Sequence, residues 1–228
     1  MGKTILGITS HIDDNVMFAG SVMKLQDQGY KYYEIVLTDS AGSTNQQQNK
    51  PEKEIIDIRK EEMAKAAEIL NIKHIYWLEQ DSGNLQYSKT LMLKIVRIIR
   101  ELKPEIGFAI NSQDVHPDHV EAARLTKESF RWAAKSGHPE LGIPHRSSTV
   151  LFAEGTLPIS PSLLVDISKY YDRKEQLFKA YTSQALPKDL TLLKSFALIR
   201  GYHLRKNNSA YAEAFTVEQN ILPILFEK

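Results

Sequence analysis

The chain contains no cysteine among its 228 residues. That absence excludes a disulfide framework, a thiol nucleophile and a cysteine-bound zinc finger, so any metal must be held by histidine and carboxylate side chains. An excess of one charge is also lacking: 29 Lys and Arg face 28 Asp and Glu, a formal net charge of +1. No strong field invites nucleic acid or an anionic membrane. Apolar runs are short, far below the ~20 residues that a membrane-spanning helix needs. The first residues hold one lysine and then a strand-like run, without the apolar region and small-residue cleavage site of a secretory signal. A cytoplasmic protein is therefore expected. No Gly-x-Gly-x-x-Gly follows the first apolar run, which disfavours dinucleotide binding there, and no Gly-Lys-Ser/Thr phosphate loop is present.

What is present reads as alternating strand and helix. Thr4 to Thr9 is apolar nearly throughout, as a buried parallel strand should be. Asn15 to Gln28 follows as a helix stopped by Gly29, and Tyr32 to Thr38 as a second strand. Asp39 to Pro51 is a polar loop containing Gln46-Gln47-Gln48. Glu54 to Leu70 is a helix and Ile75 to Leu78 a third strand. Ser88 caps a helix with a clean stripe of Leu91, Ile95, Ile98 and Leu102. Ile106 to Ile110, the helix Asp118 to Lys135 and Thr149 to Ala153 continue the alternation. Beyond them, Leu163 to Ile167 reads as a strand, and Lys169 to Tyr181 and Leu190 to His203 as helices. This pattern predicts one α/β domain over 1–228: a Rossmann-like, doubly wound, mostly parallel sheet with helices on both faces. The usual strand order, 3-2-1-4-5, makes strands 1 and 4 neighbours and places the ligand crevice beyond their carboxyl ends.

Two polar clusters fall at that crevice. Ser10-His11-Ile12-Asp13-Asp14-Asn15 follows strand 1, and Asp114-Val115-His116-Pro117-Asp118-His119 follows strand 4. His11 and Asp14 are three residues apart at a strand-to-helix turn, a spacing that brings both toward one point. His119 completes a His-Asp-His ligand set that leaves a position open for water. Zinc in such a set lowers the pKa of water from 15.7 to ~7. Asp13 points elsewhere and can take a proton from that water. His116 can stabilise an oxyanion or protonate a leaving group. Taken alone, an Asp-Asp pair at a helix start is more often a cap, and a lone histidine more often a solvated or satisfied one. His74, His138, His145 and His203 belong to that ordinary class. Convergence of two clusters on one place is what raises His11, His116 and His119 above it.

These motifs resemble the zinc-dependent N-acetylglucosamine deacetylases of the LmbE-like, or PIG-L, family, which carry Ala-His-Pro-Asp-Asp-Glu after strand 1. The resemblance extends to Val36-Leu37-Thr38-Asp39, to Arg59-Lys60-Glu61-Glu62 in a helix, to Ser183-Gln184, and to Arg200-Gly201 with Tyr211-Ala212-Glu213-Ala214-Phe215. It implies His11, Asp14 and His119 as metal ligands, Asp13 as general base and His116 as the imidazole assisting the tetrahedral intermediate. It further implies substrate contacts from Arg59 and Arg146, with Asp39 opening a substrate-side loop. The implied cofactor is Zn2+, with Fe2+ or another divalent ion equally compatible with His and Asp. The implied partner is a small N-acetylated amino sugar or glycoconjugate, and a homo-oligomer stays open. Ile12 and Asn15 depart from the family's Pro and Glu. Two other readings compete. One is a sugar-binding relative impaired by those departures. The other is a phospho-receiver-like signalling domain, in which Asp13, Asp14 and Asp81 hold magnesium; it would need about half this length and has no use for His11. Loops 39–51, 79–87 and 137–146 are expected to rim the crevice and set specificity.

Overall fold

The computed structural model describes residues 3–42 and 49–217. Its first strand, β1 (Thr4–Thr9), is buried at every position, which is why its sequence is a continuous apolar run rather than an alternation. β1 pairs in parallel with β2 (Lys31–Thr38) on one side and β4 (Ile106–Ile110) on the other. β3 (Ile72–Gln80) extends the sheet beyond β2, and β5 (Thr149–Ala153) extends it beyond β4, again in parallel. The expected order is therefore observed. The chain then adds an antiparallel edge: β7 (Ala212–Val217) pairs with β5, and β6 (Leu163–Asp166) pairs with β7. Among the described residues the order is β3-β2-β1-β4-β5-β7-β6.

Helices cover both faces. One face carries α1 (Ala19–Gln26), α2 (Glu52–Leu70), α5 (Tyr171–Ala180) and α6 (Pro187–His203), packed through Phe18, Met23, Met63, Leu70, Leu177 and Leu193. The other carries α3 (Lys89–Leu102) and α4 (Pro117–Ala133), packed through Leu91, Ile95, Ile99, Leu125 and Phe130. Ser88 caps α3 as its sequence predicts, its side chain accepting from the Leu91 N–H at 3.1 Å. The helix expected over 15–28 begins instead as a 3-10 turn, Asp14–Phe18, and becomes α1 only at Ala19. The expected termini of α5 and α6 move by a few residues, and β3 is longer at both ends than 75–78.

β7 was not among the expected strands. Its Glu213 explains its place. α1 has no local side-chain cap, and the Glu213 carboxylate instead accepts from the N–H groups of Gly20 (2.9 Å) and Ser21 (2.8 Å). That supplies acceptors, and a negative charge, to a helix N-terminus that lacks both. Lys174 of α5 pairs with the same carboxylate at 2.6 Å.

Candidate active site

The turn after β1 is folded around Asp14. Its Oδ2 accepts from the backbone N–H groups of Ser10 (2.9 Å) and His11 (2.8 Å). Oδ1 faces two imidazoles, His119 Nε2 at 3.1 Å and His11 Nδ1 at 3.6 Å. Asp14 is thus no helix cap, and Asp13 holds the cap position of the 3-10 turn without a side-chain capping bond. Thr38 locks the turn to β2 by donating from both N–H (3.0 Å) and hydroxyl (2.7 Å) to the Ser10 carbonyl.

The second cluster opens α4. Pro117 occupies the first turn, and His116 is the cap: its Nδ1 accepts from the Asp118 N–H at 3.2 Å. A neutral His116 therefore carries its proton on Nε2. Burial, and then the nearby His11 and His119, push its pKa down, which favours that neutral form. Its ring lies 4.7 Å from that of His11 and 4.8 Å from that of His119. Among the described residues, His11, His116 and His119 form a group able to hold a metal ion, with ligand atoms within 4.8 Å of one another.

Two carboxylates whose roles the sequence reading did not assign hold the far sides of these rings. His11 Nε2 meets Asp118 Oδ2 at 3.0 Å, and His119 Nδ1 faces Asp114 Oδ1 at 3.1 Å. Asp118 also accepts from the N–H groups of Gly83 (2.7 Å) and Leu85 (3.0 Å), binding the loop after β3 to the site. Asp114 is pinned by the N–H of His116 (3.0 Å) and that of Thr156 (2.8 Å). Gly155 is required beside it, since a Cβ there would lie 2.2 Å from Asp114 Oδ2. The signal was present in the sequence, as aspartates flanking histidines, but which ring nitrogen each meets depends on the fold.

This environment draws positive charge to one spot. Burial opposes a charged ring, but Asp14 beside it, with hydrogen bonds to Asp118 and Asp14, raises His11 to about 9. Burial is likewise outweighed at His119, which Asp14 and Asp114 raise to about 10. Asp14 is held well below the usual carboxylate range despite its burial, by His119 and His11.

Arg59 arrives from α2 and is almost wholly buried, at 1% exposure. Its Nη2 pairs with Asp13 Oδ1, and its Nη1 with Glu62 Oε2 and Ser183 Oγ, each at 3.1 Å. Glu62 in turn accepts from the N–H of Ser183 and the hydroxyl of Thr182. The Arg-x-x-Glu helix and Ser183, far apart in sequence, thus become one clamp on Asp13. The guanidinium, expected to contact substrate, lines the pocket while its Nη1 holds Glu62 and Ser183 and its Nη2 holds Asp13. Asp39 is half-buried, and its Oδ1 accepts from the Ala41 N–H at 2.9 Å, shaping the turn toward Gly42. Asp81 is exposed, and its side chain accepts from Asn84 Nδ2 at 3.3 Å.

Arg146 is not brought to the site, which corrects the expectation. It precedes β5, at the edge of the sheet where β4 and β5 begin. Its neighbours His145 and Ser148 bond to the carbonyls of Pro104 and Glu105, each at 2.8 Å. A loop leading from a helix into a parallel strand lies at the amino end of the sheet, opposite the crevice. Arg100, near the end of α3, holds this loop there through the carbonyls of Gly137, His138 and Gly142. Of the three expected rim loops, 79–87 supplies Ser82 and Gly83 to the pocket and 39–51 supplies Gly42, with 43–48 lying outside the described residues. The pocket encloses about 370 Å3 above His11, His116 and His119.

A doubly wound α/β sheet with an imidazole and carboxylate centre at its topological switch point defines an enzyme-type cleft able to bind a metal. The family of PIG-L, described as GlcNAc-PI de-N-acetylase, matches residues 6–130, and the chain belongs to it. A diacetylchitobiose deacetylase from Thermococcus kodakarensis is 29% identical over 232 residues, covering 92% of this chain and 81% of that protein. The crystal structure of a conserved protein from Thermus thermophilus is 30% identical with a TM-score of 0.84, covering 100% of this chain and 98% of the other. The 4-carboxy-2-hydroxymuconate hydratase of Pseudomonas putida shares the fold, with a TM-score of 0.86, 22% identity and 99% of both chains covered.

Proposed function

We propose that this chain is a metal-dependent N-deacetylase that hydrolyses the acetamide of an N-acetylated amino sugar or glycoconjugate. The observation that carries the reading is the treatment of His11 and His119. Each ring has one nitrogen beside a buried carboxylate, His11 hydrogen-bonded to Asp118 and His119 Nδ1 3.1 Å from Asp114, and the other turned toward Asp14 Oδ1. That is the outer-shell pattern of metal-bound imidazoles. The spacing also fits: ligands 2.0–2.2 Å from a tetrahedral zinc lie about 3.4 Å apart, and Asp14 Oδ1 is 3.1 and 3.6 Å from the two ring nitrogens. His11, Asp14 and His119 are the proposed ligands and zinc the proposed ion. His116, whose Nδ1 is occupied by the Asp118 N–H, is reserved for catalysis. Membership of a deacetylase family and likeness to a diacetylchitobiose deacetylase support the reaction class.

A divalent ion held there supplies Lewis acidity, polarising the amide carbonyl and bringing the pKa of water toward ~7. The chain does the rest. Asp13, with Oδ1 fixed by Arg59, takes the water's proton at Oδ2 and has it available for the departing amine. Arg59 acts through Asp13 as a positioning residue. His116 Nε2–H donates to the oxygen that gains charge as the carbonyl carbon becomes tetrahedral.

Metal analysis and acetate release together test this. His119→Ala is expected to lose the metal. Asp13→Asn is expected to keep it while losing ~10²–10⁴ in rate. Full metal occupancy in His119→Ala, or undiminished turnover in Asp13→Asn, would reject the assignment.

A further inference from the structure

The pocket has two unlike flanks. Beyond β2 and β3 stand Gly42, Ser82 and Gly83, offering a hydroxyl and backbone. On the flank toward β7, α6 presents Leu192, Leu193 and Phe196 with Asp189 one turn before them, continued by Phe178 of α5 and by Val16 and Met17 of the 3-10 turn, and Gln184 lines the same pocket. This wall belongs to the framework: Arg200 of α6 is paired with Glu154, which directly follows β5. Leu192 is nevertheless 42% exposed, so apolar surface is left uncovered in a pocket that also holds Asp13, Asp14 and Arg59.

A secondary amide is trans, so its acyl carbon and its nitrogen substituent leave in opposite directions. A polyol on nitrogen suits the flank of Gly42, Ser82 and Gly83. The acyl group is then directed along the apolar flank, which is several side chains wide where an acetyl group offers one methyl. We propose that the preferred substrates are amino sugars acylated with straight chains longer than acetyl, each methylene buried against this wall adding up to about fourfold in affinity. The inference rests on the N-deacetylase reading and extends it from acetyl to longer acyl groups. The reaction is the same hydrolysis: water's oxygen bonds to the acyl carbon, the C–N bond breaks, and the proton passes to the amine, giving a fatty carboxylate and the free amino sugar.

The test uses N-acetyl-, N-butanoyl- and N-hexanoyl-glucosamine on the zinc-loaded full chain. kcat/KM is expected to rise two- to fourfold per methylene, approaching the value for full burial. Leu192→Ser and Phe196→Ser should each cut the hexanoyl-to-acetyl ratio severalfold. Calorimetric binding of the same sugars to the Asp13→Asn protein should follow the same order, with a more negative heat-capacity change for the longer chain. A ratio that is flat or falls with acyl length overturns the proposal. So does a gain seen only on changing the methyl to the hexyl glycoside of N-acetylglucosamine, which would assign the wall to the aglycone. If no acylated sugar is hydrolysed, the deacetylase reading fails, and the binding series still decides the wall: rising affinity upholds it and flat affinity removes it.

Discussion

Ile12 and Asn15 stand where the related motif has proline and glutamate, and each is accounted for by its partners. The Ile12 N–H, which a proline would lack, donates to Ser40 Oγ at 3.2 Å, and its side chain is fully buried in the α1–α2 core. Asn15 donates to Glu34 Oε2 at 3.0 Å and accepts from Tyr181 OH at 3.0 Å. A carboxylate is therefore still present beneath the turn, contributed by β2. Among the described residues neither has a hydrogen bond to the side chain of a proposed ligand, which weighs against the impaired-relative reading. Glu34 is wholly buried, and burial raises it to about 7 against the opposing bonds from Asn15, Tyr32 and Thr9. A raised carboxyl pKa means that its contribution to stability is full below about 4.5, the unfolded value, and is lost as pH climbs through about 7. The full swing is on the order of 3 kcal/mol. Glu34→Gln should flatten the stability profile across that window, read from urea midpoints at pH 5 and pH 8. An unchanged slope would mean that Glu34 does not titrate there.

At the scale of elements, the alternation through β5 was legible because the parallel strands carry apolar, β-branched or aromatic runs and the helices between them carry stripes and stops. β7 was not, because Ala212-Glu-Ala-Phe-Thr-Val opens on small and charged residues and lacks the β-branched and aromatic run that marks β2 on either side of its own buried Glu34. Only the fold shows that Glu213 has α1 and Lys174 to meet. The same limit hid the Arg59–Asp13 clamp, whose members were all noticed but whose pairing spans α2 and the turn after β1. The reverse error concerned Arg146. The resemblance implied a substrate contact there, while its position between a helix and the next strand already assigned it to the amino edge. Glu213→Ala should cost about 3–5 kcal/mol, since it strands the buried Lys174 ammonium and two helix N–H groups. Pairing it with Lys174→Met should recover part of that loss. A urea midpoint within 0.5 kcal/mol of the parent, on the order of an exposed-site change, would show that the cap is dispensable.

For the whole molecule, the proposed ligands join the turn after β1 to the start of α4, two segments about a hundred residues apart in the chain. An ion that binds only the folded form stabilises it by about 2.7 kcal/mol at a hundred times its dissociation constant. For a chain of this size that is a rise in Tm of roughly 5–10 °C. Zinc added to chelated protein should produce it, and His119→Ala should abolish it. An identical shift in the variant would place the ion elsewhere. The shared acceptor at Asp118 carries a different kind of consequence. Because one carboxylate receives both His11 and the backbone of Gly83 and Leu85, the length of the loop after β3 is not a free variable for evolution or for grafting. An insertion between Ser82 and Leu85 would pull on His11, a proposed metal ligand, so that loop is tied to the site in a way that a surface loop is not.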